Sequence, residues 1–390
     1  MNNKYICFVL LALYTVLNYT SYKILALYTL VPAAFVLSLF SARPRFNIYM
    51  KYLAFWYFWT YVSSFFAAYP SLASTQMHQI LGCILFLYPL YVLSKDRKMT
   101  VWLYALWILY FAVSLQYALT HVITTSFDYT SQRADGDDEG MNANHLSQYL
   151  IYFSMCIYIY GRFLKNIKWR IWLERLFFLT LPLAFFVAII TASRQLLLQE
   201  IPLVALLIYV RYFKGTKIVN KTRYIVFIAT VVVISTPKIY SIYDNSYLAQ
   251  RNSESYEEDT RVELLKSSFQ VGFEHPIVGV GPANFIKFSF NGSNAAHNTF
   301  GETFANSGLP ALFCSIAIVF IFLKRQYKRY KQFQDKVFLE FFILGGFYVF
   351  GNFFMSFHTS LWLLGFFVLL STHSENYYEE KYLEHGCVVN

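Results

Sequence analysis

Apolar residues gather into a series of long windows along the chain, and short polar segments separate each window from the next. Each window is close to the length of about 20 residues that an α-helix needs to cross the hydrocarbon core of a bilayer. The pattern predicts an all-α, polytopic membrane helix bundle of about twelve transmembrane helices. The predicted spans are about 5–20, 24–41, 50–69, 79–94, 99–119, 143–160, 171–190, 195–210, 223–239, 303–323, 338–354 and 358–371.

Lysine and arginine residues mark every second connection between these windows. Basic clusters follow the even-numbered windows, as at 95–98 and 324–336, and the other connections are poorer in both residue types. Because basic loops stay on the cytoplasmic side of a membrane, the even-numbered connections and both termini are predicted to be cytoplasmic. The first window lacks a small-residue cleavage motif and is interpreted as a span rather than as a signal peptide.

The composition excludes a soluble globular protein. Hydrophobic residues make up 57% of the chain and charged residues 14%, with a mean hydropathy of +0.41, whereas soluble domains carry about 25% charged residues. In a soluble protein the net charge of +10 would suggest nucleic-acid binding, but here the basic residues lie between apolar windows and indicate topology. We therefore predict a single integral membrane domain over 1–390, with membrane lipids and no nucleic acid as partners.

The sequence predicts no metal site and no cofactor. Its five cysteines are scattered singly, without a CxxC motif, which favours neither a disulfide framework nor a zinc site. The acidic run DGDDEG at 135–140, in the predicted exterior connection 120–142, suits either a divalent cation or a solvated loop, and the loop is favoured. No nucleotide-binding motif is present.

The longest polar stretch, 240–302, is predicted to be a large exterior loop. Within it, the segment 260–274 predicts a short amphipathic helix that lies on the outer membrane surface or against the bundle. Four apolar residues share one face of this helix: Val262, Leu265, Phe269 and Phe273. The sequence HPIVGVGPANF follows, in which Gly279, Gly281 and Pro282 predict a tight turn.

Two arginines on the predicted exterior side are candidate anion-binding residues. Arg194 lies in a very short turn between apolar windows, where it either anchors the chain at the membrane interface or meets an anion. Arg261 opens the amphipathic helix after three acidic residues, so that a surface ion pair is the alternative. Because a guanidinium binds phosphate oxygens bidentately and stays charged, two arginines converging on one cleft would suit a diphosphate.

His297 is the candidate proton acceptor. A lone histidine is usually structural or solvated, yet its unperturbed pKa of about 6.5 suits it to take a proton from an attacking hydroxyl near neutral pH. Asn298 and Glu302 follow it closely and are candidates for orienting it.

Several motifs together resemble the bacterial O-antigen ligase and O-antigen polymerase family. They are SRQ at 193–195, Arg261 with the apolar helix LLKSSF, HPIVGVGPANF at 275–285, HN at 297–298 followed by FANSGLPALF, and NANHLSQYL at 142–150. The predicted topology agrees with that family. The chain departs from it at Gln195, where a small residue is common.

The resemblance implies an inverting, metal-independent glycosyltransferase without a cofactor. The donor would be a glycan on undecaprenyl diphosphate in the outer leaflet of the bacterial inner membrane, with the active site on the periplasmic side. Arg194 and Arg261 would grip the diphosphate, and His297 would activate or position the acceptor hydroxyl. The other substrate-binding candidates are Asn298, Glu302, Gly281 and Asn144.

Three functions stay open. A ligase, with lipid A-core as acceptor, is favoured because the long loop with its helix and HN motif is most similar to that branch. An O-antigen or capsule polymerase, with another carrier-linked glycan as acceptor, would use the same chemistry. A transporter of lipid-linked polysaccharide is disfavoured, because the distinctive residues gather on one side of the membrane whereas alternating access needs a midplane site.

Overall fold

The computed structural model describes residues 3–18, 20, 22–41, 45–124, 143–214, 240–246, 248–249, 260–290, 292, 295–354 and 360–383. Every regular element in these ranges is helical, which confirms the all-α prediction. The helices are α1 (Asn3–Leu17), α2 (Lys23–Leu39), α3 (Ile48–Ser64), α4 (Pro70–Ser94), α5 (Arg97–Thr124), α6 (Ala143–Phe163), α7 (Ile167–Thr191), α8 (Arg194–Ile208), α9 (Thr260–Glu274), α10 (Phe285–Phe288), α11 (Thr299–Phe333), α12 (Lys336–Asn352) and α13 (Leu361–Tyr378).

Each predicted span that falls on described residues coincides with one of these helices; the span at 223–239 lies outside them. Within the ranges that the structure describes, five helical segments are long and apolar enough to cross a membrane. They are Pro70–Ser94, Arg97–Gln116, Ile167–Thr191, Arg194–Phe213 and Thr299–Phe333, whereas α1 and α2 are apolar but shorter. The chain is therefore an integral membrane protein, and the count of about twelve spans stays a prediction.

The chain divides into two compact units, which are described separately. The first comprises Met1–Trp107 and Asp259–Asn390. In it α3 packs against α11, α4 packs against α2 and α13, and α11 packs against α12. An aromatic cluster joins α4, α5 and α13: the Trp107 indole donates to the carbonyl of Trp362 over 3.1 Å, and Phe86 lies 5.2 Å from the Trp362 ring. Such rings bury large apolar areas and fix the relative positions of the three helices.

The second unit comprises Ile108–Glu258. Its helices α6, α7 and α8 pack against one another. Buried polar contacts link them as well, since the Ser154 hydroxyl on α6 donates to the carboxylate of Glu200 on α8, and Arg211 pairs with Glu174 on α7. Helix α8 ends in a π-helical turn over Tyr209–Phe213.

Candidate active site

Helix α11 is broken one third of the way along, and the candidate site is built around that break. Gly308 has φ 75° and ψ −174°, a conformation open essentially to glycine alone. Pro310 follows and has no backbone N–H with which to continue the helical pattern. The carbonyls that precede the break therefore need partners from elsewhere in the chain.

The predicted glycine turn supplies those partners. The backbone N–H of Val280 donates to the carbonyl of Ala305 over 2.9 Å, and that of Gly281 donates to Asn306 over 3.0 Å. In the opposite direction, the N–H of Leu309 donates to the carbonyl of Pro276 over 2.8 Å. The 275–285 turn is thus hydrogen-bonded into the break of α11, and the turn prediction is confirmed.

Gly281 lies where a side chain would not fit. Its φ is 99°, and a Cβ atom there would lie 2.4 Å from the Cβ atom of Ala67. The structure thus gives Gly281 a packing role at the connection after α3, and its substrate-binding role stays a prediction.

Two residues of α3 complete the turn, and sequence analysis missed both. The Trp59 indole N–H donates to the carbonyl of Ser307 over 3.0 Å, and the Ser63 hydroxyl donates to that of Asn306 over 2.9 Å. The two polar groups lie one helical turn apart in an apolar window, and this was the signal available in the sequence. Their partners could not be predicted from it, because they lie more than 200 positions away in the chain.

Helix α9 has the predicted bounds and packs against the first turns of α11. Ring centroids of Phe269 and Phe273 lie 6.0 Å and 5.2 Å from that of Phe304. The predicted apolar face is only partly correct, since Val262 and Phe273 are 47% and 71% exposed. The buried line of the helix instead runs through Leu264, Ser268, Val271 and Gly272.

The start of α11 holds the backbone of His297. This residue has φ 51°, in the left-handed region, and its N–H donates to Glu302 Oε1 over 3.0 Å. Asn298 is the N-cap: its Oδ1 accepts from the N–H of Gly301 over 2.8 Å, and its Nδ2 donates to the carbonyl of Phe353 over 3.1 Å. Glu302 thus holds the main chain of His297, and Asn298 caps the helix that follows; their roles in orienting the imidazole stay a prediction.

Arg261 and His297 share one electrostatic environment. The His297 side chain is exposed, yet the surrounding protein displaces part of its hydration. This partial loss of hydration, together with the positive charge of Arg261, lowers the pKa of the imidazole below its usual value near 6.5. The imidazole is therefore neutral at pH 7, the state that a proton acceptor requires.

Arg194 and Asn144 lie in the second unit. Arg194 is the half-buried first residue of α8, and it lies two positions after Ala192, the left-handed residue that ends α7 with φ 47°. The amide groups and dipole of a helix N-terminus favour a negative charge, as does a guanidinium. Asn144 lies in the first turn of α6.

Sequence analysis also missed a polar face of α8. Gln195, Gln199 and Glu200 are buried within a predicted span, and polar letters inside an apolar window were the signal. Within the part of the chain that the structure describes, neither glutamine amide has a hydrogen-bond partner. Their amides therefore have free hydrogen-bonding capacity, on Gln195 directly after Arg194 and on Gln199 about one helical turn further along. The acidic run at 135–140 lies outside the described residues.

Comparison with known proteins identifies the region that contains these residues. No curated protein matches the chain. The family model described as O-antigen ligase matches residues 176–316, which include Arg194, α9, the 275–285 turn and His297. The resemblance drawn from the motifs is therefore confirmed over residues 176–316, which are similar to the O-antigen ligase family and lie within an integral membrane protein.

Proposed function

We propose that this protein transfers a glycan from undecaprenyl diphosphate to a sugar hydroxyl of lipid A-core at the periplasmic face of the inner membrane. The observation that carries the proposal is that α9, which bears the cationic Arg261, packs against α11, whose start bears His297, inside a region that matches the O-antigen ligase family. One group accepts a proton and the other binds an anion, which are the two tasks that glycosyl transfer from a diphosphate requires.

The reaction proceeds in one displacement. The acceptor oxygen attacks the anomeric carbon while the bond from that carbon to the diphosphate oxygen breaks, so that the configuration inverts. His297 takes the proton of the acceptor hydroxyl, and Arg261 stabilises the negative charge that develops on the departing diphosphate. Arg194 adds a second guanidinium, so that no metal ion is required by the chemistry.

The buried amides of Gln195 and Gln199 suit the polar part of the same donor. Both carry donor and acceptor atoms without partners among the described residues, and a buried amide left unpaired costs about 1–3 kcal/mol. A phosphate or sugar hydroxyl bound near Arg194 would satisfy them. This accounts for polar residues in a segment where the membrane otherwise favours apolar ones.

The test is complementation of a strain that lacks the gene, with surface polysaccharide read on a gel and protein level read in the membrane fraction. We expect His297→Asn, Arg194→Lys and Arg261→Lys each to remove most long surface glycan, while residual transfer stays measurable with purified protein. Asparagine tolerates the left-handed backbone of His297 but has no basic nitrogen, and lysine keeps the charge of arginine but not its fork of donors. Lys266→Ala is the matched control on α9, because Lys266 forms an exposed ion pair with Glu263 and should tolerate replacement.

The species that accumulates distinguishes the two acceptors. Long carrier-linked chains in the inactive variants would identify a ligase, whereas single repeat units on lipid A-core would identify a polymerase. Full activity in all three variants would overturn the proposal.

A further inference from the structure

A cavity of about 600 Å³ lies between α3 and α4, away from the hydrogen bonds of the candidate active site. Apolar side chains, aromatic rings and methionine thioethers form most of its wall, including Leu53, Phe58, Met77 and Leu81. Its volume lies within the range of about 300–1,000 Å³ that is usual for ligand pockets. We call it the α3–α4 groove.

The groove exists because two consecutive helices diverge. A connection of only a few residues, 65–69, joins α3 to α4, yet α3 packs mainly against α11 and α4 mainly against α2 and α13. Groove residues also reach the surface: Phe58 is 57% exposed and Leu81 is 52% exposed. In a membrane, a surface-exposed apolar groove is accessible to lipid chains.

The groove is longer than one leaflet is thick. Its wall on α4 extends from Ser74 to Tyr88, which is about 21 Å at the helical rise of about 1.5 Å per residue. One leaflet contributes about 15 Å of hydrocarbon, half of the core thickness of about 30 Å. A long chain that continues past the midplane therefore fills the groove better than one acyl chain of an outer-leaflet phospholipid.

One end of the groove adjoins the candidate active site. Tyr61 and Ser74 line that end, and the 65–69 connection lies between them in the chain. The 275–285 turn binds this connection: the N–H of Ala68 donates to the carbonyl of Val280 over 3.2 Å, and the Asn284 side chain bonds both the N–H and the carbonyl of Tyr69. A chain in the groove would thus place its head group beside the turn that links α9 to α11.

We infer that the α3–α4 groove holds the polyprenyl chain of the lipid-linked donor. The inference rests on the proposed function and adds to it a lipid-binding subsite formed by α3 and α4. The groove orients the carrier so that its diphosphate meets the end of the unit that bears Arg261 and His297. Its length selects a long polyprenyl chain over a short one.

The first test compares two lipid phosphates with purified full-length protein in detergent, by native mass spectrometry. Undecaprenyl phosphate should bind at least about tenfold more tightly than farnesyl phosphate. Ala54→Trp and Leu81→Trp fill the groove and should lower the affinity for undecaprenyl phosphate by about tenfold or more, with little effect on farnesyl phosphate. Val36→Trp is the matched control, since Val36 is a 49% exposed residue of α2 that does not line the groove.

A second measurement leaves the groove almost unaltered. The photoreactive amino acid benzoylphenylalanine replaces Leu81, and light activates it while the protein is in membranes. The mass of the lipid that becomes covalently attached is then determined. A polyprenyl adduct is expected. A phospholipid adduct alone, or unchanged undecaprenyl phosphate affinity in both tryptophan variants, overturns the inference.

The outcomes test the groove assignment and the proposed reaction separately. Wild-type protein that binds undecaprenyl phosphate through the groove but transfers no glycan would contradict the proposed function and leave the groove assignment standing. Normal transfer and normal binding in both tryptophan variants would contradict the groove assignment alone.

Discussion

His297 has a backbone conformation that a residue with a β-carbon adopts at a cost. Its φ of 51° lies in the left-handed region, which typically costs about 1–3 kcal/mol when the residue is not glycine. The hydrogen bond to Glu302 and the cap formed by Asn298 maintain this conformation. Strain of this kind is found where function requires one side chain in one place, which agrees with a reactive role for the imidazole.

The lowered pKa of His297 gives a pH prediction for transfer. The neutral imidazole is the active form, so activity should fall as the pH falls through the lowered pKa, and it should stay high at pH 7. Arg261→Gln removes one of the two causes of the lowering, the other being burial, so that the pKa rises and the acidic limb moves to higher pH. The measurement is kcat/KM of the residual transfer against pH.

Lys266→Ala provides the comparison for that profile, because it removes a positive charge from the same helix at an exposed ion pair. Its acidic limb should coincide with that of the wild type. An acidic limb that stays in place in Arg261→Gln, or moves to lower pH, would show that Arg261 does not act on His297.

Asn298 makes two bonds that substitution can separate. Asn298→Ala loses both the cap on Gly301 and the donor to Phe353, and should lower stability by about 0.5–2 kcal/mol. Asn298→Asp keeps an acceptor at the helix N-terminus and loses only the donor, so a smaller decrease is expected. Thermal unfolding in detergent measures both. An aspartate variant as unstable as the alanine variant would show that the Phe353 bond, which both variants lose, is the more important of the two.

At the scale of elements, the sequence predicted helices well and their partners poorly. Apolar length alone located a helix at every predicted span that falls on described residues, because a bilayer requires about 20 apolar residues from each helix. The bounds of α9 were also correct. Its buried face was not, because Ser268 and Gly272 lie against α11 and carry no hydrophobic signal. Close approach of two helices depends on small residues, which a hydrophobic pattern does not register.

The break in α11 was not predicted, because its stabilising partners come from distant parts of the chain. The segment FANSGLPALF contains a glycine and a proline. The hydrogen bonds that Trp59 and Val280 donate to carbonyls of the broken helix cannot be seen in the sequence pattern. The same holds for His297 and Arg261, whose motifs were found but whose shared electrostatics depends on how α9 packs.

Gly308→Ala tests whether the break needs glycine. An alanine Cβ would lie 2.1 Å from the carbonyl oxygen of Ile277, at a φ of 75°. We expect a loss of about 1–3 kcal/mol in unfolding free energy, with a parallel loss of transfer. Gly346→Ala in α12 is the matched control: no atom lies within 4 Å of its added Cβ, and alanine favours a helix over glycine by about 0.5–1 kcal/mol. Equal melting temperatures for both variants would contradict a requirement for glycine at 308.

At the scale of the whole molecule, the proposed function requires Arg194 and His297 to face the same side of the membrane. Arg194 begins α8, and the basic segment after that helix is predicted to be cytoplasmic. The predicted span at 223–239, outside the described residues, must then return the chain to the exterior before α9. If that segment did not cross, the two functional groups would lie on opposite sides.

Reporter fusions test this crossing. Alkaline phosphatase is active only outside the cytoplasmic membrane. Green fluorescent protein fluoresces only inside it, because the protein does not become fluorescent after export in an unfolded state. We expect fluorescence from a fusion after Lys217 and phosphatase activity from one after Asn245. The basic residues around Lys217 favour retention inside. The predicted span 223–239 that follows has ten apolar residues between Tyr224 and Ile234, and we expect it to cross with thinning of the bilayer. If the same reporter were active at both positions, residues 223–239 would not cross the membrane. Arg194 and His297 could then not act together on one diphosphate.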